Sequence, residues 1–215
     1  QDRREHDRCD ERKAGVARQI DATLAERLFR ECSSFDDVRL TLGGSGDPML
    51  ADNIGQVLEA ARDAGISDIR IETDLLDVDA MACARELAGG IDILAVHLPA
   101  CGPQPYRAVM GIDTYDKVLA SINKFHGQQD VGDRGTPLLI PLFTPTAHNQ
   151  SEERAWYDRW PYGVSIAHAL SPTPTKLIVQ SDGRMVSNDP ASAPLGMVGQ
   201  TPIAQAWLKH PLRAA

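Results

Sequence analysis

The stretch Val38-Arg39-Leu40-Thr41-Leu42-Gly43-Gly44-Ser45-Gly46-Asp47-Pro48 carries an apolar, β-branched run straight into a glycine-rich loop. The apolar run favours an extended strand, and the glycines followed by Pro48 favour a tight turn. Apolar residues then recur at helical spacing between residues 54 and 61, and Gly65 marks the end of that helix. The stretch therefore predicts a strand, a glycine loop and a helix in succession.

The same succession repeats along the chain. Strands are predicted at residues 38–42, 69–73, 91–98 and 138–143, and helices at 16–32, 54–61, 79–87, 113–125 and 151–160. Ser151 is the expected N-cap of the last helix, because Glu152 and Glu153 follow it. Strands that alternate with helices of this length predict βαβ units around a parallel sheet. The pattern indicates an α/β fold and leaves open whether the sheet closes into a barrel.

The C-terminal residues follow a different pattern. Residues 176–180 are a predicted strand, residues 181–184 a hairpin turn, and Met185-Val186 the returning strand. A short helix is predicted at 201–208, with Thr201 as its N-cap and Pro202 at its first position. We therefore predict a charged lead-in or linker at residues 1–13, a main domain at 14–170 and a small appendage at 171–215.

Composition and charge limit the classes of partner. The chain has 215 residues, 42% of them hydrophobic, and a formal net charge of -8. These values fit an ordinary globular protein and argue against general affinity for nucleic acid or an anionic membrane. No apolar run approaches the roughly 20 residues of a membrane span, and the start is too charged for a signal peptide. We expect a cytoplasmic protein whose partner is a small molecule or another protein.

Three predicted strand ends carry candidate ligand-binding groups, because the carboxyl ends of parallel strands form the usual binding edge of such sheets. The first is the glycine loop, whose backbone allows close approach of a ligand. Its Asp47 carboxylate suits an ammonium group. The same residues also fit an ordinary turn before a helix.

The other two strand ends carry hydroxyl, carboxylate and imidazole groups. Thr73 and Asp74 suit ribose hydroxyls or an amino acid, or else they cap the following helix. His97 lies four residues before Cys101, which is compatible with a metal pair. Two ligands do not make a metal site, so a hydrogen-bonded histidine at a strand end is the simpler interpretation.

The order and spacing of these pieces resemble those of radical S-adenosylmethionine (SAM, AdoMet) enzymes from residue 16 to about residue 170. That family has a Gly-rich SAM-binding motif ending in Asp/Glu-Pro, then a strand ending in Thr-Asn-Gly or similar. A strand beginning Val/Ile-Asp, a Tyr-x-x-Val-x-Gly segment and a helix of the form Phe-Asp-Lys-Val-Leu follow. The corresponding segments here are Gly44–Leu50, Ile71–Asp74, Gly90–Leu98, Tyr106–Gly111 and Tyr115–Ile122. Several motifs in the same order support the resemblance more specifically than any single motif does.

The C-terminal appendage is similar to the SPASM or twitch tail of many such enzymes. The similar segments are a hairpin at Ser181–Asp189, a Leu-Gly-x-Val run at Leu195–Val198 and a helix at Pro202–Trp207. Ser187 or Asn188 stands where that hairpin has a cysteine. The resemblance therefore does not imply an auxiliary cluster in the tail.

The resemblance implies an incomplete parallel (β/α) barrel that binds SAM. It places four residues at the methionine end of SAM: Gly44, Ser45, Gly46 and Asp47. It places Thr73, Asp74 and His97 near the ribose or the substrate, a small molecule or a peptide. A [4Fe–4S] cluster is implied only if cysteines upstream in a parent chain hold it.

The family's Cys-x-x-x-Cys-x-x-Cys loop, which holds that cluster, is missing from the sequence. The cysteines Cys9, Cys32, Cys83 and Cys101 have no such spacing, and we expect reduced thiols. Because the first residue is Gln rather than Met, we expect processing or a longer parent chain whose upstream domain supplies the loop. The alternative is a non-catalytic relative that has lost its clusters and serves as a binding or scaffold protein.

A third hypothesis is an unrelated barrel enzyme, such as a Schiff-base aldolase. That chemistry needs a lysine at the carboxyl end of a strand in an apolar site. The lysines lie elsewhere in the predicted pattern, at Lys13, Lys117, Lys124, Lys176 and Lys209. The first two hypotheses are therefore favoured.

Overall fold

The computed structural model of the protein describes residues 19–44, 46–76, 90–128, 137–165, 176–187 and 192–209. These residues divide into two units. The first unit comprises the described residues of 40–52 and 68–168, and the second those of 18–39, 53–67 and 169–215. Within the described ranges, no helix is both long and apolar enough to span a membrane.

Strands and helices alternate through the first part of the chain. The strands are β1 Arg39–Leu42, β2 Asp68–Thr73, β3 Ile93–His97, β4 Leu138–Phe143, β5 Val164–Ser165, β6 Leu177–Val179, β7 Arg184–Ser187 and β8 Gly196–Met197. The α-helices are α1 Ala22–Cys32, α2 Ile54–Asp63, α3 Pro103–Met110, α4 Tyr115–Gln128, α5 Glu153–Arg159 and α6 Ile203–Leu208. Short 3₁₀ helices lie at Pro48–Leu50 and Gln150–Glu152.

The five-stranded sheet of β1 to β5 follows the order of the chain, β1-β2-β3-β4-β5. Its strands β2, β3, β4 and β5 pair in parallel, each with the next. In a (β/α) barrel, each strand pairs in parallel with the next strand along the chain. Five strands make only part of such a barrel. The fold is α/β, an incomplete parallel (β/α) barrel, as predicted.

The two faces of this sheet differ in burial. On β2, Ile69, Ile71 and Thr73 are buried, whereas Arg70 and Glu72 between them are half-buried. The buried face packs against helix α5, whose Trp156 ring lies 5.3 Å from the ring of Phe143 on β4. Because side chains alternate along a strand, Arg70 and Glu72 lie on the opposite, less buried face.

The second unit joins helices α1, α2 and α6 to a small antiparallel sheet. Asp21 caps α1, since its Oδ1 accepts from the backbone N–H groups of Thr23 and Leu24 at 3.0 and 3.2 Å. Strands β6, β7 and β8 form the sheet in that order. The Glu31 carboxylate of α1 accepts from the Ile203 N–H at 3.0 Å, which ties the start of α6 to α1.

Most predicted elements are confirmed, and four details were wrong. Helix α1 begins at Ala22 rather than residue 16, because the extended Asp21 acts as its N-cap. The two predicted N-caps do not cap. Ser151 belongs to a 3₁₀ turn, with Glu152 preceding α5, and Pro202 rather than Thr201 precedes α6. Strand β3 is shorter than the predicted 91–98.

Three short elements escaped prediction. Helix α3 begins with two prolines in its first turn, at positions 103 and 105, and ends at Gly111 in the left-handed region. Strands β5 and β8 are two residues each, too short to show a periodic pattern. The predicted helix at 79–87, the lead-in at 1–13 and the domain boundary near 170 lie outside the described residues and stay predictions.

Candidate functional site

Asp47, in the loop after β1, binds the carboxyl end of β2. Its Oδ2 accepts a hydrogen bond from the Thr73 hydroxyl at 2.8 Å and another from the Asp74 backbone N–H at 3.1 Å. A residue five positions beyond β1 therefore meets the first residue beyond β2. The two strands end at the same edge of the sheet, which brings three predicted site residues together.

The Asp47 carboxylate also fixes the turn that follows it. Its Oδ1 accepts from the Met49 backbone N–H at 3.0 Å, which caps the 3₁₀ helix at Pro48–Leu50. A carboxylate offers about four acceptor positions, and Met49, Thr73 and Asp74 occupy three of them. Asp47 is thus held in place and keeps room for one further donor.

Thr73 is part of the same hydrogen-bond network as Asp47, and the residue is 1% exposed. Its hydroxyl donates to Asp47 and accepts from the Leu75 N–H at 3.0 Å. Both functions of the hydroxyl are therefore used within the protein. The structure places Thr73 as a residue that positions Asp47.

The glycine loop presents backbone rather than side chains. Gly44 has a φ of 128°, which a residue with a Cβ atom rarely adopts, and Gly44 and Gly46 are exposed. A Cβ atom on Gly43 would lie 3.1 Å from the Cβ of Glu72 and 3.5 Å from its Oε2. The loop therefore begins directly beside the Glu72 carboxylate. Ser45, the fourth predicted SAM residue of this loop, lies outside the described residues.

The less buried face of the sheet, which we call the charged face, carries Arg70, Glu72, Ala95 and His97. The register pairs Arg70 with Ile93 and Glu72 with Ala95, and His97 lies two residues beyond Ala95 on β3. Arg70 Nη2 and Glu72 Oε1 form an ion pair at 3.1 Å. Sequence reasoning missed Arg70, although a charge between two isoleucines on a parallel strand is itself a signal, because such strands are usually apolar on both faces.

His97 is half-buried at the end of β3, and side chains from a later segment fix the loop that follows it. The Trp156 indole N–H donates to the Leu98 carbonyl oxygen at 2.8 Å, and the buried Asn149 amide donates to the Pro99 carbonyl oxygen at 2.6 Å. The Cys101 N–H donates to the Glu152 carboxylate at 3.1 Å. We call these contacts the β3-loop clamp.

Tyr115 closes the clamp from helix α4. Its hydroxyl donates to the Cys101 carbonyl oxygen at 2.7 Å and accepts from the Arg159 guanidinium at 3.3 Å. Burial raises the pKa of the Tyr115 hydroxyl, an effect that the nearby Arg159 charge opposes. Tyr115 therefore acts here as a neutral hydrogen-bond donor. The clamp makes the backbone after His97 a fixed part of the carboxyl edge.

The described residues do not fit an iron–sulfur cluster. Cys32 and Cys101 are the cysteines among them, and cluster ligation requires thiolates. Burial, with the Glu31 carboxylate second, raises the pKa of the Cys32 thiol to about 11. Burial and the Glu152 carboxylate raise the pKa of the Cys101 thiol. Within the described ranges, no group of three or more His, Cys, Asp or Glu side chains is placed to hold a metal ion.

The sequence matches no protein-family model and no curated protein sequence. Solved structures do match. Native anSMEcpe with bound AdoMet superposes with a TM-score of 0.66 at 11% identity, over 91% of this chain and 73% of that one. The histidine-tagged form of anSMEcpe with bound AdoMet gives 0.66 at 10% identity, with the same coverage.

BtrN in complex with AdoMet and 2-DOIA has a TM-score of 0.54 at 14% identity, over 91% of this chain and 72% of that one. The chain shares its fold with these AdoMet-bound proteins. At these identities the likeness concerns the fold alone. The predicted fold is confirmed. The ligand-binding roles of the predicted site residues stay predictions.

We predict that Asn149→Ala destabilises the protein by about 2–3 kcal/mol, because it leaves buried backbone groups without partners. Asn149 donates to the Pro99 and Thr144 carbonyl oxygens, and its Oδ1 accepts from the Thr146 N–H. Urea unfolding measures the loss. The control Gln150→Ala, at an exposed neighbouring position, should stay within about 0.5 kcal/mol of the wild type. Equal free energies of unfolding for the two variants would contradict the stabilising role of Asn149 in the β3-loop clamp.

We also predict that Cys32 reacts slowly with iodoacetamide. A pKa near 11 in place of 9.0 lowers the thiolate fraction at pH 8 by about a hundredfold, and the thiolate is the reactive form. Peptide mass spectrometry should show a Cys32 alkylation rate about a hundredfold lower in the native protein than in urea. Similar rates in the two states would show that the Cys32 thiol is not shielded.

Proposed function

We propose that the chain binds AdoMet at the carboxyl edge of the first unit and forms the AdoMet and substrate side of a radical SAM enzyme. The observation that carries the proposal is the Asp47 network. It holds an exposed glycine loop against the end of β2 and leaves one acceptor position of the carboxylate for a ligand. The fold shared with two AdoMet-bound proteins supports it.

The described residues fit the methionine end of AdoMet. An ammonium group needs acceptors, which the Asp47 carboxylate and the backbone of the exposed residues Gly44 and Gly46 are proposed to offer. Thr73 and the Asp74 amide keep the Asp47 carboxylate oriented. The Asp74 side chain and His97 are proposed to face the ribose or the substrate. The β3-loop clamp fixes the backbone beyond His97.

Reductive cleavage of AdoMet additionally needs an electron, which a bound [4Fe–4S] cluster supplies. The described residues do not hold such a cluster, so its ligands would have to come from elsewhere. The substrate is proposed to be a small molecule or a peptide, and the location cytoplasmic.

The second candidate is a non-catalytic radical SAM-like binding or scaffold protein. Two observations favour it. Both described thiols have raised pKa values, caused first by burial. In the tail, which we propose to be SPASM- or twitch-like, Ser187 or Asn188 stands where the family has a cysteine, and Ser187 is buried at the end of β7. AdoMet binding is common to both candidates, and AdoMet cleavage separates them.

Isothermal titration calorimetry with AdoMet tests the proposal. We expect the wild-type chain to bind, and Asp47→Asn to bind about tenfold or more weakly, because it removes the charge that attracts the ammonium group. Asp52→Asn, at an exposed position five residues later, is the matched control and should bind like the wild type. A folded wild-type chain that binds no AdoMet would sink the proposal, as would equal affinities of the two variants.

The chain alone is predicted to be unable to cleave AdoMet reductively, so the test that distinguishes the two candidates uses the full parent protein, incubated with iron, sulfide, a reductant and AdoMet. Formation of 5′-deoxyadenosine supports the enzyme. Binding of AdoMet without 5′-deoxyadenosine supports the non-catalytic protein.

A further inference from the structure

Leu75 has a left-handed backbone, with a φ of 52°. This conformation brings Cβ close to the backbone, so it is costly for leucine and common only for glycine, asparagine and aspartate. Among the described residues, the other non-glycine case is Asp37, which is exposed and of a type that tolerates this backbone. Leu75 is 1% exposed. Burial of its apolar side chain is favourable, and it holds a turn that the backbone alone would avoid.

The strained turn lies at the candidate site. Leu75 is the second residue beyond β2, and the N–H of the preceding residue, Asp74, binds the Asp47 carboxylate at 3.1 Å. Residues held in sparsely populated backbone conformations concentrate at functional sites, where the surrounding structure maintains them. The position of Leu75 therefore calls for an account of what its turn does for Asp47.

A chain of two hydrogen bonds links Leu75 to Asp47. The Leu75 N–H donates to the Thr73 hydroxyl oxygen at 3.0 Å, and that hydroxyl donates to Asp47 Oδ2 at 2.8 Å. Hydrogen bonds in such a chain strengthen one another, and more so where water is excluded, as it is at the buried Thr73. The Leu75 N–H thus keeps the oxygen of Thr73, rather than its methyl group, turned towards Asp47.

We propose that Leu75 is a positioning residue of the AdoMet site. Its buried side chain stabilises the left-handed turn, and the turn directs the Leu75 N–H, through the Thr73 hydroxyl, onto Asp47. The Asp47 carboxylate is then oriented before the ligand arrives, which reduces the ordering cost of binding. The effect on AdoMet rests on the proposed function, whereas the hydrogen-bond chain from Leu75 to Asp47 does not.

Replacement of Leu75 by alanine and by glycine separates positioning from packing. Both variants lose the buried side chain, but alanine keeps the cost of a positive φ and glycine does not. We expect the turn to relax in Leu75→Ala and to persist in Leu75→Gly. Isothermal titration calorimetry should therefore show AdoMet binding about fivefold weaker in Leu75→Ala than in Leu75→Gly. A packing role alone predicts the opposite order, because glycine leaves the larger cavity.

Amide hydrogen exchange tests the turn without AdoMet. The protection factor of the residue-75 N–H should be about fivefold lower in Leu75→Ala than in Leu75→Gly. Leu58, which is buried on helix α2, supplies the matched control pair. There the glycine variant should be the less stable of the two in urea unfolding, because glycine is unfavourable within a helix. The two Leu58 variants should bind AdoMet equally.

Substitutions of Thr73 test the same hydrogen-bond chain if the Leu75 variants fail to fold. Thr73→Val has a similar shape and lacks the hydroxyl, so it should weaken AdoMet binding about fivefold. Thr73→Ser keeps the hydroxyl and should restore the affinity. Equal AdoMet affinities of Thr73→Val and Thr73→Ser would overturn the proposal.

The outcomes for Leu75 separate the positioning role from the proposed function. If the wild-type chain binds AdoMet, and Leu75→Ala binds it as tightly as Leu75→Gly or more tightly, Leu75 does not position the site and the proposed function stands. If the wild-type chain binds no AdoMet, the proposed function falls. The exchange rates then decide the hydrogen-bond chain alone, and equal protection of residue 75 in the two variants refutes it.

Discussion

The carboxylate of Asp47 is the point on which the edge of the first unit depends. A loop of glycines has little conformational preference of its own, and Gly44 adopts a φ that few other residues accept. Asp47 fixes the far end of that loop by accepting from Met49 on its own turn and from Thr73 and Asp74 on the next strand. One side chain thus sets the turn, joins two strand ends and faces the loop with a negative charge.

The next strand end is fixed by a different means. After β3 the backbone groups of residues 98–101 bind side chains from residues 115–156, namely Tyr115, Asn149, Glu152 and Trp156. Neutral donors to carbonyl groups provide most of this clamp, so its strength depends little on charge or salt. The parallel sheet aligns the strand ends at one edge, and polar side chains from distant positions decide the course of each loop.

Strands β2 and β4 were predicted from their apolar runs, because the residues that contact the core recur at short intervals along the sequence. Asp47, Thr73 and Asp74 were found because they follow predicted strands. The clamp was not predictable, since Asn149 reaches Pro99 across 50 positions and no local pattern links them. Helix α3 was missed because its prolines at 103 and 105 read as loop, although proline fits the first turn of a helix. Arg70 was missed because a strand was expected from its isoleucines alone.

The ion pair of β2 is not explained by the needs of the sheet. Removing two charges from water costs about as much as their attraction returns, so a partly buried pair adds little net stability over apolar side chains. The sheet would hold as well with two more aliphatic residues at these positions. The pair places the Glu72 carboxylate beside the start of the glycine loop.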